Sequence, residues 1–298
     1  MMTFKDCIKA SQSQLFRALL RQYRDKCISR KGKFLLVRGE VPVLLVAHLD
    51  TVHEELVHTI CISEDGSIMM SPQGIGGDDR CGVYALQRIH AEAEQKPWLL
   101  FTCDEEIGGQ GAKAFVEEYE QEKLPQELAN MKMLVELDRR GKNDAVFYDC
   151  GNPDFEDYIN SHGFLTQYGS FSDISLIAPA LGVAAVNLSS GYYDAHTCHE
   201  HINCRHLENT IAKVGEMVAE ASRDDFPQYD YQECDWLADW QNYGYAAVKH
   251  NLSKGQRRIY KRLMEFFAVE EIERYRQMYG DGILQQLYED VREYCMEG

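Results

Sequence analysis

The sequence predicts an α/β fold: a mixed, mostly parallel central sheet with helices on both faces, followed by an α-helical C-terminal extension. Short apolar runs typical of strands alternate with stretches of helical periodicity from about residue 34 to residue 222. One run, Val43–Val46, is apolar throughout and is therefore predicted to be a fully buried strand. Acidic segments directly follow several of the runs, as expected where an open α/β sheet binds ligands.

The elements are predicted in chain order from periodicity and turn signals. Residues 5–24 carry apolar side chains at helical spacing, which predicts one amphipathic helix. Asp65-Gly66 between two short apolar runs predicts a hairpin. The remaining predictions are strands Phe34–Val37 and Val43–Val46, hairpin strands Thr59–Ser63 and Ser67–Met70, a helix over 80–94, strand Trp98–Thr102, helix Gly111–Glu120, strands Met131–Leu137 and Ala145–Tyr148, helices Asp154–Ser161 and Asp173–Leu181, strand Ala184–Leu188 and helix His206–Ser222.

The pattern changes near residue 225, where a turn sequence precedes an aromatic, polar stretch containing Trp236 and Trp240. Apolar residues at helical spacing follow between Ser253 and Met296. We therefore divide the chain into an α/β domain, 1–224, and a helical extension, 225–298. The extension is expected to dock onto its own domain, with a homo-oligomer formed through these helices as the alternative.

Composition excludes several classes of protein. The formal charge of −17 over 298 residues argues against a nucleic-acid surface, which needs a basic patch, and against an anionic membrane as partner. The N-terminus lacks the apolar region of a signal peptide, and no apolar run approaches the length of a membrane span. The ten cysteines are dispersed without a CxxC pair, so we expect free thiols and a cytoplasmic location.

Five segments carry a histidine or two closely spaced carboxylates, and three of them lie at or just after the ends of predicted strands. Any one of them could simply cap a loop, but their coincidence favours a shared site. Imidazole and carboxylate ligands without thiolate suit two divalent cations in a hydrolytic site, Zn²⁺ first, with Co²⁺ or Mn²⁺ as alternatives. The segments are Ala47-His48-Leu49-Asp50, Gly77-Asp78-Asp79-Arg80, Asp104-Glu105-Glu106-Ile107-Gly108-Gly109, Glu136-Leu137-Asp138 and Asp194-Ala195-His196-Thr197.

Four motifs, in this order, resemble those of the co-catalytic di-zinc exopeptidase superfamily, which includes peptidase T, related carboxypeptidases and deacylases, and the di-zinc aminopeptidases. The resemblance spans about residues 40–222 and is specific in motif order and strand-end context. The motifs are His-Leu-Asp-Thr-Val, Gly-Gly-Asp-Asp-Arg, Asp-Glu-Glu-Ile-Gly-Gly-Gln-Gly-Ala and His-Thr-Cys-His-Glu.

The resemblance implies a role for each matching residue. Asp78 would bridge two metal ions. His48 and Asp138 would complete one ion's ligands, and Glu106 and His196 those of the other. Asp50 would orient the His48 imidazole, as carboxylates behind a ligand commonly do. Glu105 would be the general base that takes a proton from metal-activated water.

Three of these assignments leave an alternative open. Asp79 competes with Asp78, although the family pattern places the bridging residue two positions before a basic residue, here Arg80. Glu136 competes with Asp138, which we prefer because it lies nearer the end of its strand. The competitors of His196 are two nearby histidines, His199 and His201.

Two further pairs of residues each have two possible roles. Arg139 and Arg140 either hold a substrate carboxylate or neutralise nearby acids. Ser172 or Asp173 either belongs to a loop near the substrate or caps a helix.

Many relatives insert a lid or dimerisation domain, but here the predicted elements already fill the intervals between motifs. We therefore expect an open cleft made from loops. The expected function is exopeptidase action on short peptides, most simply as an aminopeptidase, by metal-dependent hydrolysis of the peptide bond. One alternative is an amidohydrolase or deacylase of N-acyl amino acids or similar small amides. A second is a non-catalytic metal-binding or interaction protein that works through its tail.

Overall fold

The central strand of the molecule is an eight-residue run, Val41–His48, that is buried along nearly its whole length. The computed structural model describes residues 1–148, 152–167, 169 and 171–232, with a few positions between 259 and 288. The chain divides into two units, Met1–Glu233 and Cys234–Gly298. The predicted aromatic stretch with Trp236 and Trp240 lies outside the described residues.

Twelve strands and seven α-helices are present in the described part of the first unit, with one short 3₁₀ helix, Gln126–Asn130. The strands are β1 (Cys27–Arg30), β2 (Phe34–Val37), β3 (Val41–His48), β4 (Cys61–Ile62), β5 (Ile68–Met70), β6 (Pro97–Thr102), β7 (Met133–Arg139), β8 (Asp144–Val146), β9 (Leu165–Gln167), β10 (Ala185–Ser189), β11 (Tyr192–Tyr193) and β12 (His201–Asn203). The helices are α1 (Phe4–Lys9), α2 (Gln12–Gln22), α3 (Gly77–Glu92), α4 (Gln110–Glu120), α5 (Pro153–Ser161), α6 (Ile174–Leu181) and α7 (Cys204–Ala221).

An eight-stranded sheet has the order β1-β2-β6-β3-β7-β10-β8-β9. The four central strands β6, β3, β7 and β10 run parallel to one another, whereas β1, β2 and β8 pair antiparallel with their inner neighbours. The prediction of a mixed, mostly parallel sheet is therefore confirmed. Because parallel strands all point the same way, the carboxyl ends of β3, β6 and β7 lie at one edge of the sheet.

The two faces of the sheet are covered by different helices. Side chains alternate along β3, so that Val43, Leu45 and Ala47 enter one core while Leu44 and Val46 enter the other. The first core receives apolar residues of α1, α2, α3, α5 and α7, and the second receives those of α4 and α6. A strand buried on both faces must be apolar at every position, which explains why the run reads as continuous.

A smaller antiparallel sheet of order β11-β12-β5-β4 lies beside the main one. Its β4–β5 arm is the predicted hairpin, and its other two strands immediately flank His196 along the chain. The described residues from Asp138 to His196 otherwise form β8, α5, β9, α6 and β10, and none of them builds an inserted lid domain.

The predicted single helix over residues 5–24 is wrong. It is two helices: the first ends at Lys9 with Ala10 in an extended conformation, and Ser11 caps the second. The Gln14 backbone N–H donates to the Ser11 hydroxyl, and the Ser11 N–H donates to the Gln14 side chain. The apolar spacing runs through this break, so periodicity alone conceals it. The short strands β1, β9, β11 and β12 also went unpredicted.

In the second unit, a small group of described apolar residues is buried together: Leu263, Ile272, Leu284 and Leu287. Phe266 and Phe267, which belong to the predicted helical pattern, lie outside the described residues. No described helix is long and apolar enough to cross a membrane.

Truncation of Leu45 to alanine tests the two-faced core. Leu45 is completely buried in β3, so Leu45→Ala should lower the free energy of unfolding by about 2–5 kcal/mol through lost contacts and a cavity. Urea denaturation measures the change. The control is Leu165→Ala, since Leu165 is 56% exposed and should cost little. Equal effects for both variants would contradict the described core.

Candidate metal centre

The site lies where three parallel strands end. His48 is the last residue of β3 and pairs in register with Thr102, the last residue of β6. Asp138 is the penultimate residue of neighbouring β7. The sheet therefore delivers an imidazole and a carboxylate to one edge, and loops bring the other groups to them.

One cluster of ligand atoms surrounds the His48 ring. Its Nε2 lies 3.0 Å from Oδ1 of Asp78 and 3.3 Å from Oδ1 of Asp138. The His48 side chain is 1% exposed, and the two carboxylates are nearly as buried. An imidazole and two carboxylates with mutually close donor atoms form a set that can hold a divalent cation.

A second cluster shares Asp78. Nε2 of His196 lies 3.2 Å from Oδ2 of Asp78 and 3.1 Å from Oε1 of Glu106. The two oxygens of Asp78 therefore face two different imidazoles, which is the geometry of a carboxylate able to bridge two cations. The His196 side chain is half exposed, so the cleft is open to solvent on this side.

The competing residues point elsewhere. Asp79 accepts hydrogen bonds from the backbone N–H of His48 at 3.2 Å and of Gly82 at 2.8 Å. Glu136 is buried and accepts a hydrogen bond from the Ser172 hydroxyl. His201 stacks on the Tyr193 ring with its Nδ1 3.6 Å from the Asp194 carboxylate, and His199 is exposed.

Asp50 connects the first cluster to the segment that carries Glu105 and Glu106. Its Oδ1 lies 3.2 Å from Nδ1 of His48 and accepts the Glu105 backbone N–H at 3.0 Å. Its Oδ2 accepts the Glu106 N–H at 3.0 Å. One carboxylate thus orients the imidazole and fixes the backbone of both adjacent glutamates.

The Glu105 side chain stands beside both clusters. A carboxylate oxygen of Glu105, one of Glu106 and a ring nitrogen of His48 all lie within 4.8 Å of one another. Burial raises the pKa of Glu105, and the charges of Glu106 and Asp78 raise it further, while His48 lowers it. The Glu105 carboxylate therefore lies close to a member of each cluster and is protonated more readily than an exposed glutamate.

The structure also shows the contacts of the residues whose roles the sequence left undecided. Asp173 does not cap α6 with its side chain; it is buried and accepts a hydrogen bond from the Thr102 hydroxyl. Burial raises the pKa of Asp173 to about 7. Arg139 lies 3.9 Å from the Asp144 carboxylate, and Arg140 is exposed.

Three buried or partly buried residues near the clusters had no predicted role: Arg80 and Glu200, which lie in motifs, and His53, which lies outside them. Arg80 is buried and donates to the carbonyl oxygens of Leu49, Asp50 and Ala10, tying the loop after β3 to the N-terminal helices. The signal for Glu200 was its spacing four residues after His196, but spacing could not show what it contacts.

The donor set fits two divalent cations. Oδ1 of Asp138 is buried, and although His48 Nε2 lies 3.3 Å away, no described residue donates a hydrogen bond of good geometry to it. Burying an acceptor in this way is costly. Burial and the charge of Asp78 raise the pKa of Asp138 well above its usual value, because several carboxylates crowd two imidazoles. Bound cations would supply the missing partner and the counter-charge.

Comparison with known proteins bears on the fold. No protein-family model and no curated protein matches the chain. A tripeptidase from Staphylococcus aureus matches with a TM-score of 0.57 at 14% identity, over 74% of this chain and 97% of that one. The aminopeptidase PepT from Bacillus cereus matches with a TM-score of 0.56 at 15% identity, over the same shares.

The TET1 peptidase from Pyrococcus horikoshii matches with a TM-score of 0.50 at 15% identity, over 72% of this chain and 99% of that one. This chain shares the fold of these peptidases. The predicted fold class is therefore confirmed.

The pH dependence of metal binding follows from His196. The hydrogen bond that the His196 ring donates to the Asp78 carboxylate raises the pKa of His196 to about 9; burial opposes the shift and the charge of Glu106 adds to it. In chelator-treated protein, the stabilisation from this protonated ring is complete below the unfolded pKa of about 6.5 and is lost as pH rises through about 9.

A cation must displace that proton, so its affinity at this cluster should fall about tenfold per unit as pH drops below 9. Calorimetric titration with Zn²⁺ at several pH values measures this slope. His196→Ala is the control and should lose it. A pH-independent affinity in the unsubstituted protein would contradict the described geometry.

Proposed function

We propose that this chain is a metal-dependent exopeptidase, an aminopeptidase that acts on short peptides. His48, Asp78 and Asp138 hold one divalent cation, and Asp78, Glu106 and His196 hold the other, with Zn²⁺ as the expected ion and Co²⁺ or Mn²⁺ as substitutes. The observation that carries the proposal is the Asp78 carboxylate, whose two oxygens each face a different imidazole while Glu105 stands alongside.

The chemistry divides between two adjacent carboxylates. When bound, the two cations polarise the scissile carbonyl and make water more acidic. Glu105, which is not one of the proposed metal ligands, removes the proton from the attacking water and delivers it to the departing amine. Asp50 holds the backbone of Glu105 and Glu106, so the base and the ligand keep a fixed separation through the reaction.

The proposed substrate class rests on the exposure of the His196 side chain and on the fold. With no lid domain among the described residues, the half-exposed His196 leaves the cleft open, which suits a short peptide or small amide. The fold is shared with a tripeptidase and with aminopeptidases. Hydrolysis of di- and tripeptides compared with N-acyl amino acids, each with Zn²⁺, Co²⁺ or Mn²⁺ added, tests the assignment; turnover of the acyl substrates alone would replace it with a deacylase.

Assembly and location are part of the proposal. The Pyrococcus horikoshii peptidase can assemble into a tetrahedron or a large octahedral shell. We propose that this chain also forms homo-oligomers. The extension 225–298 is expected to dock onto its own domain, with contacts between copies through its helices as the alternative. The described cysteines are free, which suits a reducing cytoplasm.

Replacement of Glu105 tests the general base. Glu105→Gln keeps the shape but cannot accept a proton, so turnover should fall by about 10²–10⁴-fold while metal content stays at the unsubstituted level. Peptide hydrolysis and metal analysis of the same preparation measure both quantities. Glu122→Gln, on the surface, is the control. Activity within tenfold of the unsubstituted enzyme would reject Glu105 as the base.

Replacement of histidines tests the ligand assignment. His196→Ala should deplete the cation next to Glu106 more than the cation next to His48, because each ion has its own terminal ligands. His199→Ala should leave metal content unchanged, since His199 lies on the surface. Mass spectrometry of the native protein counts the ions. Depletion by the His199 variant, with none by the His196 variant, would show that the ligand is misassigned.

A further inference from the structure

Glu200 lies four residues after His196, and both of its carboxylate oxygens are engaged. Oε1 accepts a hydrogen bond from the backbone N–H of Asp78 at 3.0 Å. Oε2 accepts one from the backbone N–H of Gly76 at 3.0 Å and lies 2.6 Å from Nε2 of His53. The Glu200 side chain is 1% exposed, so these contacts are shielded from water.

Glu200 accepts hydrogen bonds from the backbone of the segment that carries Asp78. Asp78 has dihedral angles of φ −84° and ψ 101°, which are not helical, so the hydrogen bonds of α3 do not fix it. Gly77 packs so tightly that a Cβ there would lie 2.6 Å from Cβ of Tyr192 and 3.3 Å from Oε1 of Glu200. The position of Asp78 is therefore set by packing of Gly77 against Tyr192 and by the hydrogen bond from the Asp78 backbone N–H to Glu200.

Glu200 also connects two ligand segments. His196 and Glu200 lie on the same short stretch between β11 and β12, while Asp78 belongs to the distant start of α3. A displacement of Glu200 would change the distance between the Asp78 carboxylate and the His196 ring, now 3.2 Å. An apolar side chain in this place would leave the buried backbone N–H groups of Gly76 and Asp78 without acceptors, which is costly. The Glu200 carboxylate satisfies both donors.

We propose that Glu200 is a positioning residue that fixes Asp78 between the two cations and so sets the geometry of the bridge. This inference rests on the proposed metal centre. Groups that hold metal ligands in place typically contribute about 10–100-fold to metal affinity. Loss of the Glu200 carboxylate should therefore weaken the binding of both cations and displace the Asp78 carboxylate that they share. It removes none of the proposed ligands.

Titration of the full chain with Mn²⁺, followed by electron paramagnetic resonance, is the test. Two Mn²⁺ ions joined by one carboxylate are magnetically coupled, and this signature reports the bridge itself. Glu200→Gln puts an amide N–H₂ against the backbone donors of Gly76 or Asp78. It should weaken Mn²⁺ binding by about 10–100-fold and abolish the coupled spectrum.

Three further variants separate positioning from stability. Thr210→Val removes another fully buried hydrogen bond, 2.7 Å to the Ser189 carbonyl, away from Asp78; it should lower the melting temperature yet leave affinity and coupling intact. His53→Gln keeps the bonds from Gly76 and Asp78 to Glu200, so it should weaken binding less than Glu200→Gln does. Glu200→Asp retains the charge but shortens its reach, and it replaces Glu200→Gln if that variant does not fold.

The outcomes distinguish the inference from the proposed centre. A coupled Mn²⁺ pair in the unsubstituted protein that disappears in a folded Glu200 variant, but survives in Thr210→Val, supports the positioning role. A coupled pair that persists with unchanged affinity in the folded Glu200 variants overturns it and leaves the metal centre standing. An unsubstituted protein that binds no coupled pair overturns the proposed centre, and the inference with it.

Discussion

The placement of one carboxylate, that of Asp78, is the constraint on which the candidate site depends. Its oxygens lie 3.0 Å from the His48 ring and 3.2 Å from the His196 ring, so it joins two clusters whose other members alternate along the sequence. Several other carboxylates lie around it in a largely buried space. Such crowding of like charges is unfavourable unless cations share the space, and this cost is the physical argument for a two-metal centre.

The rest of the structure holds that arrangement in place. Parallel strands bring His48 and Asp138 to one edge of the sheet, and the Asp50 carboxylate ties the Glu105–Glu106 backbone to His48. The N-terminal helices take part as well. Gln12 of α2 donates to the Asp104 carboxylate at 2.8 Å and accepts the Asp104 N–H at 3.0 Å, which anchors the loop before Glu105.

Much of this architecture could be predicted from sequence because its causes are local. Continuous apolar runs marked the strands buried on both faces, and polar residues directly after them marked the edge where ligands gather. The break at Ser11 could not be predicted from periodicity, since apolar spacing continues across it. The short strands β11 and β12 are too short to show a period.

The contacts of neighbouring acids could not be read from the sequence. Asp78 and Asp79 are the same residue type side by side, and only the structure shows that Asp79 turns to the backbone of His48 and Gly82. The hydrogen bond from the Asp78 backbone to Glu200 joins residues far apart in the chain, so no local sequence pattern could reveal it.

The most direct test of the central claim is anomalous X-ray diffraction at the zinc edge on crystals grown with Zn²⁺. The account predicts two ions per chain, one contacted by His48 and Asp138, the other by Glu106 and His196, with an oxygen of Asp78 on each. A single ion, or two ions that do not share Asp78, would contradict the bridging carboxylate and with it the proposed chemistry.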